Sequence, residues 1–296
     1  MGLKNEKKAG SDLRLKAFTL IELLVVISII ALLLAIIMPS LKLAKQKAAT
    51  AVCLANTKNL SLAWFMYQQE NDGRLVGGGM SVMENGRPIG WIRKPRTING
   101  NEYQWWTTIP IPDEDEFRGI RAGSLYPYLK SVDVMHCPAD NIRRSYFAPG
   151  DRPFASYTVA ACLNDTTENT GGPTIKKFGQ IRRPGQRYNF VESAEERCYN
   201  GEGRFLMRLV SPVPGQYTAR GYSWQMWSPL AINHGKSSIF GFCDGHSEVR
   251  KWRDKFTIEH TLKLREQNTG TYNSWFYPED QTNDIAFMAA GWALGK

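Results

Sequence analysis

The chain has 296 residues, of which 43% are hydrophobic and 22% are charged, so it can bury a sizeable core. This composition excludes a disordered chain as the starting interpretation. A formal net charge of +9 would suit an anionic partner. Because the Lys and Arg residues are spread along the whole sequence, we expect a solvated basic surface and no nucleic-acid partner.

A short basic leader precedes a long apolar segment at the N-terminus. Residues 1–17 carry five basic and two acidic side chains, whereas residues 18–38 contain one charged residue, Glu22. A helix needs about 20 apolar residues to cross a hydrocarbon layer of about 30 Å. A cleaved secretory signal would have a shorter apolar core followed by a small-x-small site, and a buried core helix is rarely so uniformly apolar. Residues 18–39 are therefore predicted to form a transmembrane helix.

Two features bear on the orientation and role of this helix. Lys42, Lys45 and Lys47 lie just beyond its far end, so the positive-inside rule gives only a weak preference for a cytoplasmic N-terminus. Glu22 lies one turn inside the apolar segment, where a carboxylate is costly in lipid. Glu22 is therefore a candidate functional residue.

Residues 16–26, with the sequence KAFTLIELLVV, resemble the leader of type IV pilins and type II secretion pseudopilins. The resemblance implies that prepilin peptidase cuts between Ala17 and Phe18 and methylates the new N-terminus at Phe18. Ala17 departs from the Gly that is usual before the cut. Glu22 becomes the fifth residue of the mature chain and Pro39 the twenty-second, where the family commonly has a helix-kinking proline. In a fibre, Glu22 is expected to pair with the Phe18 amine of a neighbouring subunit and so set the axial register.

The same resemblance implies a place in the cell and a set of partners. We expect a single-pass protein of the inner (cytoplasmic) membrane, with a cytoplasmic N-terminus and a periplasmic or extracytoplasmic head. The implied partners are the prepilin peptidase/N-methyltransferase, other pilin-like subunits and an inner-membrane assembly platform. The expected function is structural, as a subunit of a type II secretion pseudopilus or a related type IV pilus-like fibre, and not enzymatic. A membrane-tethered binding protein that recognises polysaccharide or another surface polymer stays open as the alternative.

Beyond the membrane segment, residues 40–72 are predicted to continue as an amphipathic helix that stops at Asn71-Asp72-Gly73. Residues 73–296 alternate short apolar stretches with Gly, Pro, Asn and Asp, which indicates a β-rich head. The predicted fold class is α+β, with the long N-terminal helix packed on an antiparallel sheet with irregular loops. The acidic cluster Asp113–Glu116 is expected in a solvated loop. A short helix is predicted over residues 124–130, and strands are predicted over residues 87–92, 103–109, 156–162, 188–192 and 205–210.

Two motifs distinguish the head. Cys137, Pro138 and Asp140 belong to a Cys-Pro-Ala-Asp element, and nine residues separate His234 from an Asp244-Gly245 pair. Together they resemble the H-x9-DG signature of a large group of pilin-like proteins. Asp-Gly between two alternating stretches predicts a tight hairpin turn, since Gly supplies positive φ and Asp caps the turn.

We assign these head residues a structural role and expect no catalytic residue and no metal cofactor. If an ion binds, calcium is the expected ion. The candidate ligands among the head residues are then His234, Asp244 and His246.

The five cysteines form no C-x-x-C pair, which excludes a zinc ribbon or a thioredoxin-type motif. An exported head would hold one or two disulfides and leave at least one thiol, with the pairing undetermined. Cys53 is expected to be a small buried residue of the helix.

Overall fold

The computed structural model describes residues 19–104, 111–140, 155–165, 174–194, 203–267 and 275–293. The α-helices of this part of the chain are α1 (Leu20–Glu70), α2 (Asp113–Arg121), α3 (Tyr126–Leu129), α4 (Lys255–Gln267) and α5 (Asn283–Gly291). The strands are β1 (Met83–Glu84), β2 (Arg87–Pro88), β3 (Tyr157–Ala160), β4 (Tyr188–Glu192), β5 (Arg204–Phe205), β6 (Met207–Val210), β7 (Thr218–Ala219), β8 (Tyr222–Met226), β9 (Ser237–Phe242), β10 (Ser247–Lys251) and β11 (Trp275–Phe276).

Helix α1 runs without interruption through Pro39 and ends at the predicted stop. Asp72 and Gly73 both have positive φ, of 55° and 72°, and the Gly73 N–H donates to the carbonyl of Gln68 at 2.8 Å. This left-handed turn satisfies a carbonyl of the last helical turn, as at many helix C-termini. The predicted helix end is therefore confirmed.

The chain divides into two compact units, Met1–Lys45 and Gln46–Lys296. The first contains the apolar part of α1. The second contains the rest of α1 together with all the strands of the described residues. The α+β fold class, with a long N-terminal helix and largely antiparallel sheets, is confirmed.

Three sheets form within the described residues. The central sheet has five strands in the order β10-β9-β4-β3-β5, and its pairs are antiparallel except for the parallel pair β3–β5. A second, antiparallel sheet has the order β11-β8-β6, with β7 paired to β8, and β1 and β2 form a two-stranded sheet. Strands β4 and β9 are buried at every position, as a sheet covered on both faces requires.

One face of the central sheet is covered by the second part of α1. The Ser61 hydroxyl donates to Asn189 Oδ1 of β4 at 2.9 Å, and both residues are buried. Gly241 of β9 lies under the helix so closely that an added Cβ would be 2.1 Å from Ser61 Oγ and 3.0 Å from Thr57 Cγ2. The absence of a side chain at Gly241 therefore sets how near the helix lies to the sheet.

The opposite face carries an aromatic cluster. The Phe240 ring makes edge contacts with Tyr188, Trp252 and Phe287 at centroid distances of 5.4, 5.8 and 5.3 Å. Such contacts add about 0.5–1.5 kcal/mol each beyond the buried area. Since Phe287 belongs to α5, this helix covers the second face of the sheet.

The structure confirms much of the predicted head and corrects the rest. The hairpin β9–β10 surrounds Asp244-Gly245, and β4 spans the predicted residues 188–192. The short helix predicted over residues 124–130 is α3, and the strand predicted over residues 156–162 narrows to β3.

The other predicted strands are shorter or interrupted. The strand predicted over residues 87–92 shortens to β2, and that over residues 205–210 divides between β5 and β6. Of the strand predicted over residues 103–109, residues 105–109 lie outside the described residues, and residues 103 and 104 are not in a strand.

The expectation that Asp113–Glu116 form a solvated loop was wrong. These residues form the first turn of α2, where carboxylates are favoured by the exposed N–H groups and the helix dipole. Asp115 is 7% exposed because it accepts a hydrogen bond from the Tyr103 hydroxyl at 2.7 Å and pairs with Arg118.

Replacing Gly241 with Ala should lower the free energy of unfolding by about 1–3 kcal/mol, because the new methyl group displaces Ser61 or pushes α1 from the sheet. Gly179→Ala is the matched control, since an added Cβ there meets nothing within 4 Å. Denaturant unfolding of the detergent-solubilised chain, followed by tryptophan fluorescence, measures both variants. Equal stability of the two variants would contradict the packing argument.

Candidate functional site

The N-terminal candidate residues lie at the beginning of α1. Ala17 and Phe18 lie outside the described residues. Thr19 precedes the first helical residue, and its N–H and hydroxyl both donate to Glu22 Oε2, at 2.9 and 2.8 Å. The Glu22 N–H donates in return to Thr19 Oγ1 at 3.2 Å. Thr19 and Glu22 therefore form a capping box, a motif whose Thr-x-x-Glu signature was present in the sequence but was missed.

The apolar part of α1 exposes its side chains along its whole length in the isolated chain. Leu20 is 78% exposed and Ile36 is 69% exposed. Among the described residues, α1 is the one helix long and apolar enough to cross a membrane. The Ser28 hydroxyl donates to the Leu24 carbonyl at 2.7 Å, so this polar group is satisfied within the helix, as an apolar environment demands.

The two head motifs meet at one buried point. Cys137 forms a disulfide with Cys53 of α1, with the Cα atoms 5.2 Å apart, and Cys137 Sγ lies 3.3 Å from His234 Nε2. The Asp140 N–H donates to the Cys137 carbonyl at 2.9 Å, so the Cys-Pro-Ala-Asp element is a β-turn with Pro138 at its second position. Cys53 is buried, as expected, and the structure supplies its disulfide partner, which the sequence does not show.

A buried glutamate completes this group, which we call the Cys–His cluster: Cys53, Cys137, Glu192 and His234. Glu192 is the last residue of β4, is fully buried, and places Oε1 3.0 Å from His234 Nε2. Its other oxygen, Oε2, accepts the Ile239 N–H at 2.7 Å. Burial raises the pKa of Glu192, and the hydrogen bond and charge of His234 oppose that rise.

Glu192 was not a candidate from the sequence, where it reads as the polar end of an apolar strand. Four separate segments supply the cluster, and its donor atoms lie within 4.8 Å of one another. Because the four residues are far apart in the sequence, their spacing does not predict the site.

The calcium ligands considered from the sequence do not come together as one group. Asp244 Oδ1 lies 2.5 Å from His246 Nδ1 and accepts the His246 N–H, all within the hairpin turn. Gly245 has a φ of +93°, as the predicted turn requires. His234 instead belongs to the Cys–His cluster. Within the described residues, this cluster is the one group of three or more His, Cys, Asp or Glu side chains whose ligand atoms all lie within 4.8 Å of one another.

The remaining cysteines behave differently. Cys162 and Cys243 are buried free thiols, and Cys198 lies outside the described residues. Burial raises the pKa of Cys162 to about 12 and that of Cys243 well above its usual range. Both thiols are therefore protonated and poorly nucleophilic at neutral pH.

Comparison with known proteins bears on the N-terminal segment. Residues 14–38 match the family model described as the prokaryotic N-terminal methylation motif. The match supports a type IV pilin-like protein. It also supports processing by prepilin peptidase, assembly with other pilin subunits and anchoring in a membrane through the apolar part of α1. No curated protein and no solved structure matches the chain.

Breaking the disulfide should destabilise the head. Cys53→Ala and Cys137→Ala should each lower the free energy of unfolding by about 2–5 kcal/mol, because the cross-link closes a long loop of the unfolded chain. The double variant should lose about as much free energy of unfolding as the less stable single variant, because either substitution already removes the disulfide. Denaturant unfolding measures this.

Differential alkylation with peptide mass spectrometry serves as the control. Without reductant, Cys53, Cys137, Cys162 and Cys243 should all stay unmodified in the folded protein. Labelling of Cys53 or Cys137 in oxidised, folded protein would contradict the disulfide.

Proposed function

We propose that this protein is a structural subunit of a type II secretion pseudopilus or a related type IV pilus-like fibre, with its single membrane helix inserted from the cytoplasmic side. The observation that carries the proposal is a methylation motif that extends into the apolar part of α1, where the side chains are exposed. Lipid covers such a surface before assembly, and neighbouring helices cover it in a fibre.

The geometry of Glu22 suits a contact between subunits. In the capping box, Glu22 Oε2 accepts hydrogen bonds from both the N–H and the hydroxyl of Thr19. A carboxylate has further lone pairs on its other oxygen, so Oε1 can accept a second donor without breaking the cap. The amine created at Phe18 of a neighbouring subunit is the cation we propose for it, since a charge in an apolar bundle is stable only when paired.

The described part of the head offers no observation in favour of the polymer-binding alternative. Exposed aromatic side chains of the head would favour that alternative, but many aromatic residues of the head form its core. They include four fully buried tryptophans: Trp91, Trp224, Trp252 and Trp292. We therefore propose the structural function alone.

Mass spectrometry of the mature protein from its native membrane tests processing. The expected N-terminus is N-methylated Phe18. A mature chain that begins at Met1, or beyond Met38, would contradict the prepilin interpretation.

Two substitutions separate the charge of Glu22 from its capping role. Glu22→Gln keeps an N3 side chain that can cap the helix but removes the negative charge. Thr19→Ala removes the hydroxyl of the box and keeps the charge. We expect Glu22→Gln to abolish incorporation into fibres, measured by shearing and immunoblotting, while membrane insertion is unchanged.

Thr19→Ala should still assemble, at a cost of about 0.5–2 kcal/mol in helix stability. Normal fibres from Glu22→Gln would overturn the role of the charge. Loss of assembly in Thr19→Ala alone would instead make the helix cap the requirement.

A further inference from the structure

We propose that the Cys–His cluster is a tetrahedral Zn²⁺ site whenever the Cys53–Cys137 disulfide is reduced. The ligands would be the two cysteine thiolates, one oxygen of Glu192 and Nε2 of His234. The proposal does not depend on the fibre function, because all four ligands belong to the second compact unit, Gln46–Lys296.

The donor atoms are already close to the geometry that zinc requires. With Zn–S of about 2.3 Å and Zn–N or Zn–O of about 2.0–2.1 Å, neighbouring ligand atoms of a tetrahedron lie about 3.3–3.8 Å apart. His234 Nε2 is 3.0 Å from Glu192 Oε1 and 3.3 Å from Cys137 Sγ. Small outward movements of these side chains, with separation of the two sulfurs on reduction, open the space for the ion.

The hydrogen bonds around His234 fix which ring nitrogen carries a hydrogen. The Thr50 hydroxyl donates its one hydrogen to the Gln46 carbonyl at 2.8 Å. At its 3.0 Å contact with His234 Nδ1 this hydroxyl must therefore accept, so Nδ1 carries the hydrogen. With the Nδ1 hydrogen directed to Thr50, the lone pair of Nε2 is directed towards Glu192 Oε1 and Cys137 Sγ, where a metal ion can accept it.

The surrounding contacts orient the ligands as in known metal sites. A metal-binding histidine usually donates its other ring N–H to a polar partner, and Thr50 is that partner here. The Ile239 N–H holds Glu192 Oε2 at 2.7 Å and leaves Oε1 towards the cluster. The Ser156 hydroxyl accepts the Cys137 N–H at 3.0 Å and so fixes the backbone of this ligand. Thr50 is accordingly a positioning residue.

The chemistry of the ligands selects zinc over the calcium considered from the sequence. Two thiolates and an imidazole are soft and borderline donors, which suit Zn²⁺, whereas Ca²⁺ takes six to eight oxygen ligands. Four protein ligands leave no open position, as in structural zinc sites. A buried carboxylate is also expensive without a positive partner, and Zn²⁺ supplies one.

One ligand of the site borders a surface cavity. The cavity has a volume of about 510 Å³, and Cys137 belongs to its lining. Four carboxylates also line it: Asp113, Glu116, Asp133 and Asp140.

The proton and electron balance is simple. A dithiol or phosphine reductant supplies two electrons, and two protons from solvent convert the disulfide into two thiols. Zn²⁺ then displaces the two thiol protons as the sulfurs bind it as thiolates.

The test uses the full-length chain in detergent micelles, reduced with a phosphine and stripped with a chelator. After addition of Zn²⁺ and removal of the excess, elemental analysis should find one zinc per chain. Substitution with Co²⁺ should give the absorption bands of a tetrahedral cobalt–thiolate site, and zinc-edge X-ray absorption should count two sulfur and two N or O ligands. Zn²⁺ should raise the Tm of the reduced protein and leave that of the disulfide form unchanged.

Four variants assign the ligands. Cys53→Ala and Glu192→Gln should weaken Zn²⁺ binding at least about 100-fold, and Thr50→Val should weaken it about 10–100-fold with the Co²⁺ spectrum retained. Cys162→Ala, which removes a buried thiol outside the cluster, should bind as the wild type does. Disulfide formation in oxidised Glu192→Gln and Thr50→Val reports that their heads are folded.

Three results would overturn the proposal. These are no retained zinc in the reduced wild type, equal binding by the disulfide form, and binding unaffected by both Cys53→Ala and Glu192→Gln. The first two results are measured on the wild-type protein. The proposal can therefore be rejected even if a variant fails to fold.

Discussion

The close approach of helix α1 to the central sheet is the constraint on which the head depends. Gly241 and Ser61 allow the helix to lie directly on β4 and β9, and a single added methyl group would meet Ser61 Oγ at 2.1 Å. At this distance Cys53 reaches Cys137, and Thr50 reaches His234. The disulfide and the polar contact between α1 and the head therefore depend on the close packing at Gly241.

Glu22 and Glu192 are both carboxylates in apolar surroundings, but their hydrogen-bond partners differ. Glu22 lies on an exposed apolar helix, where Thr19 satisfies one of its oxygens and the other stays available to a partner. Glu192 is enclosed by the head, and both its oxygens have partners within the chain, Ile239 and His234. The first arrangement suits a contact between subunits. The second suits a site complete within one subunit, because a buried charge must be paired where it stands.

The cluster gives the head two ways to hold the same four segments together. In an oxidising compartment the disulfide links α1 to the Cys-Pro-Ala-Asp turn, and His234 Nε2 contacts Glu192 Oε1 beside it. In reduced protein, a zinc ion in the same place would make the corresponding link. A subunit whose head stays joined to its helix in both states suits a fibre in which the helix is the assembly element.

The sequence by itself determined the membrane segment, the methylation motif, the end of α1 and the Asp244-Gly245 hairpin. Each of these depends on neighbours in the chain: a long apolar run, a residue pattern around Glu22, or the backbone freedom of Gly73 and Gly245. Only the tertiary structure decided the Cys53 partner, the role of Glu192, and the separation of His234 from Asp244 and His246. Those facts depend on which distant segments the packing of α1 against the sheet brings together, and the sequence carries no local signal of that packing.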